Sequence, residues 1–493
     1  MEMFATAAVI IVVAHLALGL LLWLRVRKLY SYPGLLGFPV FGNLYYFYRT
    51  LLLVSSESVA NRMDRVAQKY GKDGLCFHWC NGFKTVVFVT CPRVVKEIVF
   101  HRNLYDLSDV ILRGLAPYFR GPFLNFHAGA EWKLKRKEYN IFLRKSNVDR
   151  EYFNRFIKTA DELVDLMLDS PSAIDVNHLI IGPLLNTSMG TIFGNENSLV
   201  YHPKIINLMK WLKIIAQYII VNPELAEPIL TIFRPIDEIF YPKAGELRKM
   251  IFGRKDNTFK SIQDSLPIKE NSLSMHIVSR SIKNNNSKNS LLKELQELFF
   301  TSTNGLTSFL ANSIILLSLL PDIQERAWKE QYEIFGNDNR DPTIEDIQQM
   351  EFLNRVIKEM LRFLSPAVSA KMASGDININ GITIPSGTNV IFLRRYMRMD
   401  PKHWKNPKIF DPDRFLEESE TLKHSHSPFG IGMRRCPGEY YSIILMKTIF
   451  SKILRKLKLR TLQKDFRFED IQYKCIIMME VANPPLLQVE ERE

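Results

Sequence analysis

Phe429-Gly430-Ile431-Gly432-Met433-Arg434-Arg435-Cys436-Pro437-Gly438 is the stretch on which the reading of this 493-residue chain turns. A cysteine ends a loop punctuated by glycines, and an apolar run follows it. Gly430, Gly432 and Gly438 let a backbone pass close to a flat, bulky group. Pro437, directly after Cys436, suits the first position of a helix. The run from Glu439 to Leu459 has helical spacing and ends in Lys452, Arg455, Lys456 and Lys458. Cys436 is therefore expected at a helix N-terminus, where exposed N–H groups and the dipole favour a thiolate. A thiolate so held is a good axial ligand for haem iron. Arg434, two residues earlier, is placed to meet a haem carboxylate through a charge-assisted bond.

A lone cysteine in a Gly-rich turn is more often a small buried residue. The spacing Phe429-x-x-Gly432-x-Arg434-x-Cys436-x-Gly438 is more specific. It resembles the haem-binding signature of the cytochrome P-450 family, the haem-thiolate monooxygenases. The resemblance implies a mainly α fold with a smaller β-rich region. It also implies haem (iron-protoporphyrin IX) bound by Cys436 as metal ligand, with Phe429, Gly432, Arg434 and Gly438 around it.

The composition is globular, with 46% hydrophobic and 24% charged residues. The net charge of +13 suits nucleic acid, an anionic membrane or an acidic partner. No basic block is long enough to argue for nucleic acid. Five cysteines are too few for a disulfide framework, and the odd count fits a reducing compartment. Cys76 and Cys80 lack a matching second pair or a His cluster, so they read as strand residues rather than metal ligands.

Phe4 to Leu24 is an apolar run of 21 residues without a charged side chain, long enough to span a bilayer. Arg25, Arg27 and Lys28 follow it, against only Glu2 in front. That asymmetry predicts a retained signal anchor with the body of the protein in the cytosol. The sequon Asn186-Thr187-Ser188 should then be unused. Tyr32 to Asn43, dense in Pro and Gly, reads as a stiff linker. The chain thus divides into an anchor (1–28), a linker (29–43) and a catalytic domain (44–493).

Phe83 to Thr90 reads as a strand and Pro92 to Phe100 as a short helix. Leu115 to Phe126 reads as a loop. Trp132-Lys133-Leu134-Lys135-Arg136-Lys137 is a basic helical stretch, with Trp132 and Arg136 on one face. It can be simply a solvated face. The resemblance implies that Trp132 and Arg136 contact a haem propionate, leaving Lys133, Lys135 and Lys137 outward for an acidic redox partner. Ile205 to Ile236 is apolar and interrupted by Pro223, Pro228 and Pro235. Core helices explain it, and the resemblance makes it the roof of a pocket for a lipophilic substrate. Ser281 to Ser290 reads as a polar loop.

Ser290 can cap a helix from Leu291 to Leu320, stopped by Pro321, of roughly 45 Å. The resemblance implies that this helix crosses the haem and carries an acid followed by Thr for proton delivery. Those places hold Asn304 and Gly305, with Ser302 and Thr303 beside them. Asn is no acid near neutral pH, and Gly305 has no hydroxyl though it leaves room for water. The hydroxyl cluster (Thr301, Ser302, Thr303, Thr307, Ser308) reads either as back-bonding to the helix or as a rebuilt water relay. Some relatives esterify haem through a Glu; Thr301 stands there, so no covalent link is expected.

Glu359 and Arg362 sit i, i+3 on a helix from Glu351 to Phe363 and can form a surface pair. With Arg414, in Phe410-Asp411-Pro412-Asp413-Arg414-Phe415, they match a buried family network. Asp376 to Ile384 alternates like a strand. Lys371 stands where many members have a propionate-binding Arg, and a point charge there makes a weaker contact than a fork.

The chain most resembles an animal microsomal branch, the arthropod relatives of family four. That implies a monooxygenase of the endoplasmic reticulum membrane, fed with NADPH electrons by a cytochrome reductase, with cytochrome b5 as a second donor. Two other readings stay open on the Asn304–Gly305 departure. One is an oxygen-independent isomerase or dehydratase of a peroxide; the other is a haem-binding protein with little catalysis.

Overall fold

The computed structural model describes residues 59–80, 84–101, 104–105, 129–194, 272–475 and 478–492, apart from 171, 285, 287, 418 and 419, with short pieces at 9–24 and 33–34. Leu115 to Phe126 and Ile205 to Ile236 lie outside the described residues.

The labelled elements run α1 (Val59–Tyr70), β1 (Leu75–Cys80), β2 (Lys84–Val89), α2 (Pro92–Val99), β3 (Leu104–Tyr105), α3 (Gly129–Phe142), α4 (Phe153–Leu168), β4 (Ser172–Ile174) and α5 (Ile181–Phe193). After the undescribed segment come α6 (Leu273–Lys283), α7 (Lys288–Ser318), α8 (Pro321–Phe335), α9 (Glu351–Leu364), β5 (Ser369–Ala373), β6 (Ile377–Ile379), β7 (Ile382–Ile384), β8 (Asn389–Phe392) and α10 (Arg394–Met399). The chain ends with α11 (Glu439–Lys456), β9 (Leu457–Thr461), β10 (Tyr473–Cys475), β11 (Met479–Val481) and β12 (Leu487–Glu491).

A mainly helical body therefore carries smaller sheets. One five-stranded sheet has the order β1-β2-β8-β5-β3. Its β2 and β8 run parallel, with Val87 opposite Val390, and the other pairs are antiparallel. Cys76 and Cys80 are β1 residues, as expected from the lack of a second ligand pair. The main core lies among α4, α7, α9 and α11, where Phe156, Leu163, Ile314, Val356, Leu445 and Ile449 are buried. Each such side chain contributes about 1.5–3 kcal/mol. A second core (Val87, Val95, Ile98, Val390, Phe392) fills the sheet's side against α2.

Several expectations shift in detail. The helix expected from Leu291 begins at Lys288 and ends at Ser318, so Ser290 lies inside it rather than at its cap. Ser281 belongs to α6, which runs to Lys283, and is buried, so the expected polar loop does not begin there. Asp376 to Ile384 is a hairpin of two short strands. Asn380 (φ 49°) and Gly381 (φ 78°) form its left-handed turn. The helix expected through Leu459 stops at Lys456, and Leu457 to Thr461 becomes β9. Asn186 to Ser188 lie within α5, with Thr187 and Ser188 buried.

The described part of the N-terminal run is helical, and Val9, Ile10, Val12, Leu16 and Leu21 are exposed. No single helix among the described residues is long and apolar enough to cross a membrane. In the linker, Phe77 N–H donates to the Pro33 carbonyl at 2.8 Å and Gly34 bridges to Phe77. A Cβ at Gly34 would lie 2.1 Å from the Phe77 carbonyl oxygen, so only glycine permits this approach.

Candidate functional site

The cysteine loop is closed at its base by Cys436 N–H, which donates to the Phe429 carbonyl at 2.8 Å. Gly430 (φ 82°) and Gly432 (φ 80°) sit in the left-handed region that side chains avoid. Gly438 does not; a Cβ there would lie 3.9 Å from Cys436 Sγ. Gly438, not Pro437, borders α11: it is the N-cap, and Glu439 starts the helix. Cys436 therefore stands two residues ahead of the cap, and the Gly438 N–H donates to its sulfur.

Cys436 is accessible to solvent, yet dense protein surrounds it. In the chain alone, burial raises its thiol pKa, opposed by the Gly438 N–H and by the Arg136 charge. The thiolate expected from the sequence is thus not favoured by the polypeptide by itself. A coordinated metal would deprotonate the thiol outright.

Trp132 and Arg136 both reach this loop from α3. The Arg434 guanidinium stacks 4.1 Å from the Trp132 ring centroid, and Arg136 donates to the Arg435 carbonyl. Burial lowers the Arg136 pKa; Cys436 and the neighbouring Arg434 are its other charge influences. Two guanidiniums side by side next to an accessible thiol are a donor set for a metal-bearing ligand with carboxylates, so the residues fit haem.

Of the three lysines expected outward on α3, Lys133 and Lys137 are exposed. Lys135 is not: it is 5% exposed and pairs with Glu294 of α7 at 3.4 Å. Arg280 and Tyr139 also bond Glu294, the Tyr139 hydroxyl at 3.1 Å. This buried carboxylate draws Lys135 inward, because an unpaired Glu294 would be costly there.

On α7, Thr303 donates to the Phe299 carbonyl at 3.0 Å, as does Ser302. Thr301 and Thr307 likewise bond the helix backbone. Four of the five hydroxyls thus back-bond, the plainer of the two readings, and Ser308 does not. Asn304 is half-buried, and a Cβ at Gly305 would meet no described atom within 4 Å. Sequence reasoning missed Glu480 of β11, which is 5% exposed and accepts the Ser308 hydroxyl. On a helix Ser308 falls between the directions of Asn304 and Gly305, and its side chain leans back over their turn.

Glu359, Arg362 and Arg414 meet as expected. Glu359 and Arg362 are fully buried and pair through two bonds of 2.8 Å, and Arg414 Nε reaches Glu359 at 3.1 Å. Arg362 also donates to the Pro407 carbonyl at 2.7 Å, so the pair clamps the segment before the cysteine loop. Lys371 lies on β5, 9% exposed. A cavity of about 640 Å³ borders the loop itself, lined by Lys358, Lys423, His424, Phe429 and Arg435 but not by Cys436.

The cytochrome P450 family model matches residues 33–485. Cytochrome P450 4c21 of Blattella germanica is 25% identical over 95% of each chain. Probable cytochrome P450 4e1 of Drosophila melanogaster is 26% identical over 90% of this chain and 85% of its own. Human cytochrome P450 4V2 is 34% identical over 31% of this chain and 30% of its own.

Proposed function

The chain belongs to the cytochrome P450 family of haem-thiolate monooxygenases, and on that premise we propose that it oxidises a lipophilic small molecule at the endoplasmic reticulum membrane, with NADPH electrons delivered by a cytochrome reductase. Bound haem supplies dioxygen binding and reductive O–O cleavage, with one oxygen entering a C–H bond.

The polypeptide supplies the rest. Cys436 would supply the thiolate sulfur from a loop that its own N–H closes and two left-handed glycines shape. Arg136, Arg434 and Lys371 would hold the haem carboxylates. The locking of α3 to the cysteine loop through Trp132–Arg434 and Arg136–Arg435 carries this assignment. Exposed Lys133 and Lys137 support docking of an acidic redox partner on the same face, with cytochrome b5 as a second donor. The exposed apolar residues of 9–24 support the membrane anchor.

Proton supply is the chain's own departure. Water beside Gly305 would take the place of the missing hydroxyl, held by the Asn304 amide. Ser308 would connect it to the Glu480 carboxylate. Ser302 and Thr303 contribute less, because their hydroxyls are spent on Phe299. That same observation favours a second reading, an oxygen-independent rearrangement of a peroxide.

The test is a substrate screen that follows the haem spin state, then oxygen uptake with reductase and NADPH. Substrate-dependent oxygen uptake with hydroxylated product supports the monooxygenase reaction. Turnover of organic peroxides without reductase, and no oxygen uptake with it, would replace it with the second reading.

A further inference from the structure

Arg394 is a buried cation whose described partners are all neutral. It opens α10 and is 4% exposed. Its Nε donates to Ser369 Oγ at 3.1 Å, and one terminal nitrogen donates to Ser427 Oγ. The Phe392 ring lies 5.4 Å from the guanidinium carbon. Its neighbours are mostly paired: Arg362 and Arg414 share Glu359, and Arg395 pairs with Asp64, while fully buried Arg398 spends its terminal nitrogens on Ser365 Oγ and on the Ser365 and Pro366 carbonyls and feels the Asp64 charge. Burial alone draws the Arg394 pKa down to about 10, with no carboxylate opposing it. A buried charge without a counter-charge is expensive, so an anion is expected at this place.

The position says which anion. Ser369 and Lys371 alternate on β5 and so share one face of the strand. Ser427 precedes Phe429 by two residues, at the root of the loop that ends in Cys436. Arg394 thus bridges the strand face of Lys371 and the root of the cysteine loop. A guanidinium has three nitrogens, and the two hydroxyls engage two of them. Haem brings two carboxylates; Arg136 and Arg434 stand together near one side of the loop.

We propose that Arg394 is a further haem-anchoring residue, its remaining nitrogen making the charge-assisted contact to the haem carboxylate on the Lys371 side. This rests on haem being held at Cys436. It accounts for a lysine at 371: the fork that position lacks is supplied from α10. It also accounts for Ser369 and Ser427, which aim the guanidinium without neutralising it.

The experiment compares haem transfer from the full-length holoprotein to excess apomyoglobin for wild type, Arg394→Leu, Arg394→Gln and Arg394→Lys. Each is loaded either with haem or with haem dimethyl ester, whose carboxylates are uncharged. Arg394→Leu and Arg394→Gln should lose haem roughly ten- to hundredfold faster than wild type, with Arg394→Lys between. Loaded with the ester, wild type and variants should lose it at the same rate. A thiolate-type carbon monoxide spectrum in every variant separates this from failure at Cys436. Equal haem loss, or a difference that persists with the ester, overturns the proposal and makes Arg394 a strut between Ser369 and Ser427. If Arg394→Leu does not fold, the Gln and Lys variants decide by the same comparison. A thermal midpoint of the haem-loaded wild type that rises with inorganic phosphate, and does not in Arg394→Gln, would assign a free anion and also overturn it.

Discussion

Glu359 accepts from two guanidiniums and from the Asp411 N–H, so its removal strands Arg362 and Arg414 in the interior. Glu359→Ala should cost roughly 3–5 kcal/mol and yield little haem-loaded protein. Normal haem content and an unchanged thermal midpoint would show that the clamp is dispensable. His426 sits beside it, where Nε2 contacts the Lys358 carbonyl at 2.9 Å. Burial, then the Arg398 charge, lower its pKa to about 3, so the folded ring stays neutral where an unfolded one is protonated below about 6.5. Stability should therefore fall with pH from about 6.5 towards 3, by at most about 1.4 kcal/mol per unit, since the ring also borders the cavity. Thermal midpoints of wild type and His426→Gln between pH 7 and 4 check this; parallel acid slopes would count against His426. What the sequence revealed at this scale was local spacing: the cysteine signature and Glu359-x-x-Arg362 need no long-range information. Lys135 and Arg394 were illegible because their inward turn depends on Glu294, 159 positions away, and on Ser427.

At the scale of elements, periodicity placed α7, α9 and α11 and, of the strands, β2 and the β6–β7 stretch, while their ends moved by a few residues. Ends depend on capping contacts that periodicity does not report. Pro437 illustrates this: it suits a first helical position, yet Gly438 takes the N-cap and the loop geometry holds Pro437 outside. On α7 the departure at Asn304 and Gly305 was legible, but its acid neighbour was not, because Glu480 comes from β11 across a distance in sequence that no motif spans. General acid–base help is worth about 10²–10⁴-fold, so changes in this relay should be visible. Asn304→Asp with Gly305→Thr should raise product formed per NADPH and lower peroxide release if the natural relay is impaired. Tight coupling in the natural protein, lost in the double variant, would show that the open space at Gly305 is itself the working relay. Glu480→Gln keeps the contact with Ser308 but removes the acid. It should raise peroxide release while leaving the unfolding free energy within about 1 kcal/mol of wild type. A Glu480→Gln enzyme that couples as well as wild type would leave the carboxylate a stitch between β11 and α7.

For the whole molecule the question is how the body is held. The mainly helical fold with small sheets follows from the resemblance carried by the cysteine loop, and the family match over 33–485 confirms it. The proposed membrane attachment rests on different physics, the 21-residue apolar run and the basic flank of Arg25, Arg27 and Lys28. Its described residues are helical, and Val9, Ile10, Val12, Leu16 and Leu21 among them are exposed. Pro33 and Gly34 lie against Phe77 of β1, the described contact between the 29–43 stretch and the body. Deleting residues 1–28 leaves that contact in place, so the shortened protein should still fold and bind haem with a thiolate-type carbon monoxide spectrum. It should come off microsomes in part, because 205–236 is apolar enough in sequence to supply a second membrane contact. The full-length chain should stay with the membrane after a carbonate wash. A full-length chain that washes off would refute the anchor. A shortened chain that is fully soluble would instead confine membrane contact to 1–28 and remove the 205–236 segment as a second point of attachment.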